Sequence, residues 1–342
     1  MRISKRYLVY FTTVIILALF LSTFKLPYYV YKPGRADSLD SIVVVEDGYQ
    51  SEGSMHLLTV SGSYATPINY FLGKIMPFRE VMPISAIRDE DETDEEYMNR
   101  QLHMMEDSQH SSTVVAYRAA GADIEVITDG VYVIGTVKDM PAHQLLENGD
   151  IIKKVDHIPV KVSDDLVTYV AEKKAGDIIT LQFERNGKVE EEQIEIVSFP
   201  DDVNQVGIGI QLTTNIIVEV NPEVKFSSGR IGGPSAGLMF ALRIYDQLTE
   251  EDYTRGYKIA GTGKIDIDGN VHPVGGVDKK VVAADREGSH VFFVPYEKGR
   301  ENSNYEIAVR AAKKIKTNME IVPVDTFEEA LLYLESLEKR TD

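Results

Sequence analysis

The chain has 342 residues, of which 36 are basic and 54 acidic, giving a formal net charge of −18, and it contains no cysteine. Its hydrophobic share of 43% is that of a globular protein, which excludes a disordered chain and a polytopic membrane protein. The lack of cysteine excludes disulfides, thiolate metal sites and cysteine nucleophiles, and the acidic balance argues against nucleic acid as a partner.

The amino terminus differs in charge from the rest of the chain. Residues 1–35 contain six basic residues and no acid, and Tyr7 to Phe24 is an uncharged run of 18 residues. As a helix this run would be about 27 Å long, close to the hydrocarbon thickness of a bilayer. Basic residues precede it, so the positive-inside tendency predicts a cytoplasmic tail over residues 1–6 and an extracytoplasmic bulk. We expect a single-pass anchor in the cell membrane over residues 7–24, in contact with the lipid bilayer.

Two other interpretations of the apolar run stay open, a cleaved signal peptide and a helix buried in a soluble core. A signal peptide needs a small-x-small cleavage site. The residues that follow the run are Phe24, Lys25, Leu26 and Pro27, which do not form one. We therefore favour the retained anchor.

The region from the anchor to residue 122 has weaker patterns. Lys32–Leu39 (KPGRADSL) has the composition of a linker, and β-branched runs predict strands at Ser41–Glu46 and Met55–Ser61. A helical pattern covers residues 93–109, and Ser112 to Arg118 is a candidate extension of the same helix. We assign residues 25–122 to a linker and an N-terminal extracytoplasmic region that packs with the C-terminal domain.

No segment predicts a metal or a cofactor. Residues 89–96 hold seven acids in eight positions, but they lack the Asp-Gly spacing of a calcium loop. We interpret this run as a solvated loop that leads into an acidic helix start.

Short β-branched runs alternate with turns from residue 123 to residue 198. Asn148-Gly149 and Asn186-Gly187 separate strands, and Ser163 to Lys173 is a predicted helix. This order, with GVYV ahead of NGDII and IPV, resembles a PDZ domain of the type fused to bacterial proteases. The resemblance implies a carboxylate-binding loop whose backbone N–H groups hold a peptide terminus; its residues are Gly130, Val131, Tyr132 and Val133. The alternative is a small β domain that only positions its neighbours.

Strands and helices alternate from residue 204 to residue 342. Apolar periodicity predicts helices at Ser235–Leu248, Val277–Glu287, Ile307–Lys316 and Phe327–Leu337. We expect a mixed α/β domain of catalytic type here, and an α+β fold for the chain as a whole.

Ser235 lies where a Gly-rich turn becomes a helix, in the stretch SGRIGGPSAGLMF. The glycines allow a backbone to approach a substrate closely, and a proline suits the first helical turn. Unpaired N–H groups at the helix start can form an oxyanion hole. The turn residues of this hypothesis are Gly232, Gly233, Pro234, Ala236 and Gly237. The alternative is that Ser235 only caps the helix.

A second glycine pair, Gly275-Gly276, opens the predicted helix that carries Lys279 and Lys280 in its first turn. Lys280 adjoins the apolar face of this helix, so it is the better candidate for burial. The helix dipole and burial both disfavour the ammonium form, and both lower the lysine pKa as a general base requires. The alternative is an exposed lysine paired with Asp278 or Asp285.

A histidine-based hydrolase is a further alternative. Gly233 to Gly237 fits the G-x-S-x-G elbow of α/β-hydrolases, and His272 and His290 are available downstream. However, the 107 residues after Ser235 are short for the usual acid-then-histidine order.

Three ordered motifs resemble the proteolytic domain of Lon-type serine proteases; they are GGPSAG, GTGKIDIDGNVHPVGG and GGVDKK, which begin at residues 232, 261 and 275. The resemblance implies that Ser235 is the nucleophile, that Lys280 is its base, and that Thr262 hydrogen-bonds the lysine. Two flanking positions depart from the family, since Lys264 replaces a more common acid and Gly232 a common Asp.

Lon proteases usually also carry an ATPase module, and the chain shows no P-loop pattern. The order of anchor, PDZ-like and Lon-like segments resembles the membrane-bound YlbL/SepM-type proteases. This resemblance implies an ATP-independent serine endopeptidase that cleaves extracytoplasmic peptides or proteins, docks them through its PDZ domain, and self-associates. The competing hypotheses are a catalytically inactive PDZ scaffold and a Ser-His-Asp hydrolase.

Overall fold

Helices and strands are distributed over the whole chain in the computed structural model, which describes residues 5–88, 92–200 and 202–340. The α-helices are α1 (Lys5–Thr23), α2 (Pro67–Ile75), α3 (Asp94–Ala120), α4 (Ser163–Ala171), α5 (Gly237–Leu248), α6 (Val277–Glu287), α7 (Asn304–Ile315) and α8 (Phe327–Ser336). The strands are β1 (Tyr28–Ser38), β2 (Val43–Val45), β3 (Ser54–Tyr64), β4 (Glu80–Pro83), β5 (Asp123–Thr136), β6 (Ile151–Val155), β7 (Ile158–Pro159), β8 (Ile178–Arg185), β9 (Lys188–Glu195), β10 (Val197–Phe199), β11 (Asp202–Gly207), β12 (Ile210–Asn221), β13 (Val224–Phe226), β14 (Lys258–Gly261), β15 (Lys264–Ile265), β16 (Val271–His272), β17 (Val291–Pro295) and β18 (Glu320–Val324).

One six-stranded sheet has the order β18-β17-β14-β3-β1-β4. Strands β3, β14, β17 and β18 are parallel, whereas β1 runs antiparallel to both β3 and β4. Alternate residues of a strand point to opposite faces, and here both faces are buried. Ile259 and Phe293 pack with α5 and α8. Ala260 and Phe292 pack with α6 and α7. Strands from before residue 84 therefore complete a sheet whose other strands lie beyond residue 257.

The linker assignment for Lys32–Leu39 is wrong, because all of these residues except Leu39 belong to β1. The pairing of β1 with β3 shifts register between Pro33 and Ala36. Gly34 lies against Thr59 at this bulge, where an added Cβ would come within 2.4 Å of the Thr59 carbonyl oxygen. Proline and glycine are tolerated in a strand at such an irregularity.

Helix α3 connects the N-terminal strands to the second sheet. Thr93 and Glu96 form a capping box at its start, and Gly121 ends it with a φ of 64°. The helix packs along α5, and its buried face includes Met105, Val115 and Tyr117. The structure confirms the predicted helix together with its candidate extension, as one continuous helix that ends at Ala120. The first acids of the 89–96 run, residues 89–91, lie outside the described residues.

The second sheet has the order β12-β5-β6-β8-β9, with β7 beside β6. Its inner face packs beneath α4, with Val131, Ile152 and Phe183 buried against Leu166. Strand β12 runs antiparallel to β5 along its full length, so that its pairing partners run from Thr136 back to Asp123. The second sheet and the proteolytic region are thus joined by a long antiparallel ribbon.

The N-terminal helix α1 is 19 residues long and apolar, and none of its residues is buried. By length and composition it could cross a membrane, and a signal sequence would pass the same test. The first four residues of the expected cytoplasmic tail lie outside the described residues.

Candidate functional site

Ser235 lies in a tight turn just ahead of α5. The helix begins at Gly237, two residues later than the apolar pattern predicts, so Ser235 is not a helix cap. The Ser235 carbonyl accepts hydrogen bonds from the Gly263 amide at 3.0 Å and from the Thr262 hydroxyl at 3.0 Å. These hydrogen bonds hold the turn to the end of β14. The Ser235 side chain lines a cleft.

The two glycines before Ser235 have different structural reasons. Gly233 has a φ of 89°, a conformation that favours glycine. An added Cβ on Gly232 would come within 2.7 Å of the Gln101 Cβ on α3. Gly232 thus permits close packing of the turn against α3, and it also lines the cleft that contains Ser235.

Lys280 lies beside Ser235. Its Nζ donates to the Ser235 Oγ over 2.6 Å and to the Thr262 Oγ1 over 2.8 Å. Helix α6 brings the lysine here because Val281 and Ala284 bury one face of the helix against the sheet. The structure therefore joins the three side chains that the Lon-type motifs single out.

The surroundings of Lys280 disfavour its charged form. The side chain is 3% exposed, and burial lowers the pKa of Lys280 from 10.5 to about 7. A substantial neutral fraction at physiological pH follows from this value, and a neutral amine can accept a proton from a neighbouring hydroxyl.

Lys279, one residue earlier, is equally buried but has a different environment. Its Nζ donates to a Glu80 carboxylate oxygen over 2.8 Å and to Asp278 over 3.1 Å. Both lysines are buried, so burial alone does not separate them as the helical pattern suggested. They differ in their partners, because Lys279 faces acids and Lys280 faces hydroxyls.

Backbone amides near Ser235 are only partly available to a substrate oxygen. The Gly233 amide donates to the Gln101 carbonyl over 2.8 Å, the Gly237 amide donates to the Pro234 carbonyl over 3.4 Å, and proline has no N–H. Within the described residues, the amides of Ser235 and Ala236 have no acceptor. The Gly232 amide also has no acceptor there, but the N–H groups of Ser235 and Ala236 lie at and next to the serine, so they are the candidate oxyanion donors.

Helix α3 braces the turn with side chains that the sequence analysis did not identify. The Ser108 hydroxyl donates to the Pro234 carbonyl over 3.0 Å, and the Ser112 hydroxyl donates to the Gly237 carbonyl over 2.8 Å. Their four-residue spacing places both on one helical face. That spacing is a signal in the sequence, but nothing local says which element the face meets.

A cleft of about 550 Å³ contains Ser235 and Lys280. One wall is β3 from Leu57 to Val60, and other parts are Gln101, Met105, Arg230–Ala236 and Pro273–Gly275. Strand β14 pairs with β3 only as far as Leu57. The backbone of β3 beyond that residue therefore borders the cleft on the side where β14 has ended.

The two downstream histidines have other partners. His272 Nε2 lies 2.8 Å from an Asp266 carboxylate oxygen on the β15–β16 hairpin. His290 Nδ1 accepts from the Lys258 amide over 2.9 Å. Among the described residues, the side-chain partner of the Ser235 hydroxyl is Lys280, so the geometry offers no histidine base.

The geometry contradicts the loop assignment for Gly130–Val133. These residues lie within β5, between β12 on one side and β6 on the other. The Gly130 amide donates to the Lys161 carbonyl and the Val133 amide to the Asp150 carbonyl. Val131 is fully buried. The stretch is a strand interior because β12 occupies the edge at which a peptide would otherwise add.

Tyr132 has a contact outside its own sheet. Its ring stacks on His103 of α3, with the ring centroids 3.5 Å apart and the planes 9° from parallel. His103 is two residues from Gln101, whose carbonyl holds the Gly233 amide. The second sheet is therefore in direct contact with the helix that braces the turn carrying Ser235.

Comparisons with known proteins match two parts of this chain. A PDZ domain matches residues 119–196, and a Lon protease (S16) C-terminal proteolytic domain matches residues 210–335. The Lon protease of Campylobacter concisus is 34% identical over 99 residues, which are 29% of this chain and 11% of that protein. The Lon protease of Chloroflexus aggregans is 28% identical over 119 residues, 34% of this chain and 14% of that protein.

The chain thus spans only a small part of the length of these curated relatives. Among solved structures, the PDZ domain of an SdrC-like protein from Listeria monocytogenes is 32% identical, covering 26% of this chain and 92% of that one with a TM-score of 0.24.

Fold and comparisons together define a chain of two modules, a PDZ domain followed by a Lon-type proteolytic domain. This combination is consistent with a PDZ/Lon-like protease of the YlbL/SepM type. Both resemblances found in the sequence are confirmed, as is the mixed α/β architecture.

Proposed function

We propose that the protein is an ATP-independent, membrane-anchored serine endopeptidase that uses Ser235 and Lys280 as a catalytic dyad. The observation that carries this proposal is the 2.6 Å contact between the Lys280 Nζ and the Ser235 Oγ. A buried lysine with a pKa of about 7 is suited to act as a general base near neutral pH. The proteolytic-domain match supports a serine peptidase.

In the proposed reaction, neutral Lys280 takes the Ser235 hydroxyl proton as the Oγ attacks a peptide carbonyl. The resulting ammonium returns that proton to the leaving amine, and water then hydrolyses the acyl-enzyme by the same exchange. Thr262 orients the lysine through its 2.8 Å hydrogen bond. The Thr262 hydroxyl also donates to the Ser235 carbonyl, so one residue positions both partners.

The oxyanion of the tetrahedral intermediate would be bound by the amides of Ser235 and Ala236. Removing one such donor typically costs about 3–4 kcal/mol of transition-state stabilisation in serine proteases. An extended peptide could reach these amides along β3, whose Leu58–Val60 backbone borders the cleft. Flexible or partly unfolded segments fit this mode of binding because they can add as a strand.

The location of the protein is also part of the proposal. Helix α1 would anchor the chain in the cell membrane, with the PDZ and proteolytic domains on the extracytoplasmic side. Substrates would then be peptides or proteins near the outer membrane surface, docked with help from the PDZ domain. Self-association into a homo-oligomer is proposed from the Lon-type resemblance alone.

The dyad is tested with a matched pair of substitutions at adjacent buried lysines. Lys280→Arg keeps the charge but removes the base, since arginine does not deprotonate in proteins. Lys279→Arg keeps the charge opposite Glu80. We expect peptide cleavage without added nucleotide to be lost in Lys280→Arg and Ser235→Ala and to survive in Lys279→Arg.

Circular dichroism and thermal unfolding of the same preparations establish that each variant is folded. Full activity in folded Lys280→Arg refutes the dyad. Loss of activity on changing His272 or His290 instead would support the histidine-based alternative. Absence of cleavage and of fluorophosphonate labelling in the wild type would favour a non-enzymatic scaffold.

A further inference from the structure

Helix α2 presents an apolar face that no part of the described chain covers. Ile68, Phe71 and Ile75 are 43%, 64% and 60% exposed, and Met76 at the helix end is 42% exposed. At about 100° per residue, Ile68, Phe71 and Ile75 lie within about 60° of one another around the helix. They form one stripe, which we call the α2 stripe.

The opposite side of α2 is fixed to the protein. Gly73 is buried, and an added Cβ there would come within 2.5 Å of Val81 on β4 and 3.4 Å of Val30 on β1. Because this position has no side chain, the helix lies directly on the strands. Gly73 is about 160° from both Phe71 and Ile75 around the helix, so close packing on one side forces the α2 stripe outward.

The α2 stripe lies beside the proposed anchor. Helix α2 contacts α1, and the Leu26 amide just after α1 donates to the Ala65 carbonyl just before α2, over 2.8 Å. The Tyr28 and Tyr70 rings pack edge to face 5.0 Å apart. A bilayer spanned by α1 would therefore be adjacent to α2.

The charges that neighbour α2 in the sequence fit the same environment, and Asp94, an acid that lies beside Tyr64, is paired with Arg88 over 2.6 Å. In a chain with 54 acids, no Asp or Glu precedes Asp37 and none lies between Glu52 and Glu80. Lys25 and Lys74 lie over the rings of Tyr64 and Tyr70. Lysines and tyrosines at the edge of an apolar face are typical of helices in the membrane interface, and the lysines attract anionic lipids.

We propose that α2 is a second membrane contact, a short helix that lies in the interface with the α2 stripe among the lipid acyl chains. The occupant of the stripe is the bilayer, and this inference rests on the proposed anchoring by α1. Two contacts rather than one would fix the tilt of the proteolytic domain and hold its cleft at a set height above the lipid.

The chain contains no tryptophan, so a single introduced tryptophan reports on its own position. The full-length protein would be reconstituted in vesicles of phosphatidylcholine and phosphatidylglycerol, with and without bromine on the acyl chains. Phe71→Trp reports on the α2 stripe, and Leu17→Trp reports on α1. Leu332→Trp is the matched control, because Leu332 is also 64% exposed but lies on α8, which packs beside β18 at the far edge of the sheet.

We expect brominated lipid to quench the tryptophan emission of the Leu17→Trp and Phe71→Trp variants and to leave that of Leu332→Trp unchanged. Ile75→Trp should repeat the result for Phe71→Trp, since both positions belong to the α2 stripe.

Three outcomes would overturn the proposal. If Phe71→Trp is unquenched while Leu17→Trp is quenched, α2 has no interfacial role but the anchor remains intact. If the emission of Phe71→Trp is blue-shifted but unquenched, protein such as a second copy covers the stripe instead of lipid. Loss of quenching in both variants refutes the anchor and the α2 contact together.

Discussion

Lys280 has no acid among the partners of its amine in the described structure. Its Nζ meets two hydroxyls, and burial lowers its pKa to about 7. A lysine that keeps its usual pKa of about 10.4 would be neutral in only about one molecule in 2,500 at pH 7. In the proposed dyad, the loss of solvation at this one amine is therefore what would make attack by Ser235 feasible.

The pH dependence of cleavage follows from this pKa. We expect kcat/KM to rise about tenfold per pH unit below about pH 7 and to level off above it, because the neutral amine is the active form. Steady-state assays with a short fluorogenic peptide at several pH values would measure the rise of kcat/KM below pH 7, which we call the pH limb. The same limb should remain in Lys279→Arg, and a flat profile through pH 7 would contradict the assignment.

The same pKa affects stability with a definite sign. Because the folded-state pKa is about 7 and the unfolded value is about 10.4, the unfolded chain binds more protons between these limits. Wild-type stability therefore rises with pH across this window relative to Lys280→Met. Urea unfolding at several pH values should show the Lys280→Met variant more stable by a few kcal/mol below about pH 7, with the advantage shrinking toward pH 10. An advantage that does not vary with pH would mean that Lys280 titrates normally.

The partners of the dyad were identifiable only in part from local sequence. A serine after two glycines and a lysine in a first helical turn each have a chemical rationale, but their pairing across 45 positions came from the Lon-type motifs. Ser108 and Ser112 were missed because a helical face does not specify its neighbour. That information lies in the packing of α3 on α5.

Helix α3 is the element that holds the turn carrying Ser235 from outside the matched proteolytic domain. Ser108→Ala removes the hydroxyl that donates to the Pro234 carbonyl, at a cost of about 1 kcal/mol. We expect kcat to fall several-fold with little change in KM and no shift of the pH limb, since the turn is displaced while Lys280 is untouched.

The control for this substitution is Thr113→Val. Thr113 is also buried on α3, but its hydroxyl donates within the helix, to the Gln109 carbonyl. We expect this variant to lose stability and keep its kcat. An equal fall of kcat in both variants would show that α3 acts only through overall stability.

At the level of elements, the sequence failed where long-range pairing overrides local composition. Lys32–Leu39 has linker residues, yet β3 and a bulge accommodate nearly all of them in a strand. Gly130–Val133 resembles a binding loop, yet β12, some 80 residues later, pairs with it. Helices α3 and α6, with strong caps or apolar faces of their own, were predicted nearly to the residue at their starts.

The whole molecule shares one core between the N-terminal region and the proteolytic domain. Leu39, Met55 and Leu57 pack in the same cluster as Leu238 and Phe240. Each buried side chain of this size contributes about 1.5–3 kcal/mol, and a domain has only about 5–15 kcal/mol of net stability. Removal of residues 25–122 therefore costs more free energy of folding than the whole net stability of the remaining domain.

Two fragments of the chain should therefore differ in how they unfold. Residues 204–342 alone should lack a cooperative thermal transition, whereas residues 25–342 should unfold cooperatively. Circular dichroism of the two purified fragments measures the difference. A sharp transition in the shorter fragment would show that the matched domain is self-sufficient.

Because β12 pairs along β5, a strand of the same chain occupies the edge of β5 at which a peptide would otherwise add. A peptide that pairs with β5 must first displace β12. Because β12 belongs to the same chain, its effective concentration at β5 is on the order of millimolar. Peptides of low affinity or low concentration would therefore not displace β12, whereas peptides of high affinity or high local concentration would. The Tyr132 ring of β5 stacks on His103 of α3. Displacement of β12 by a peptide would therefore occur next to a direct contact with the helix that holds the turn carrying Ser235.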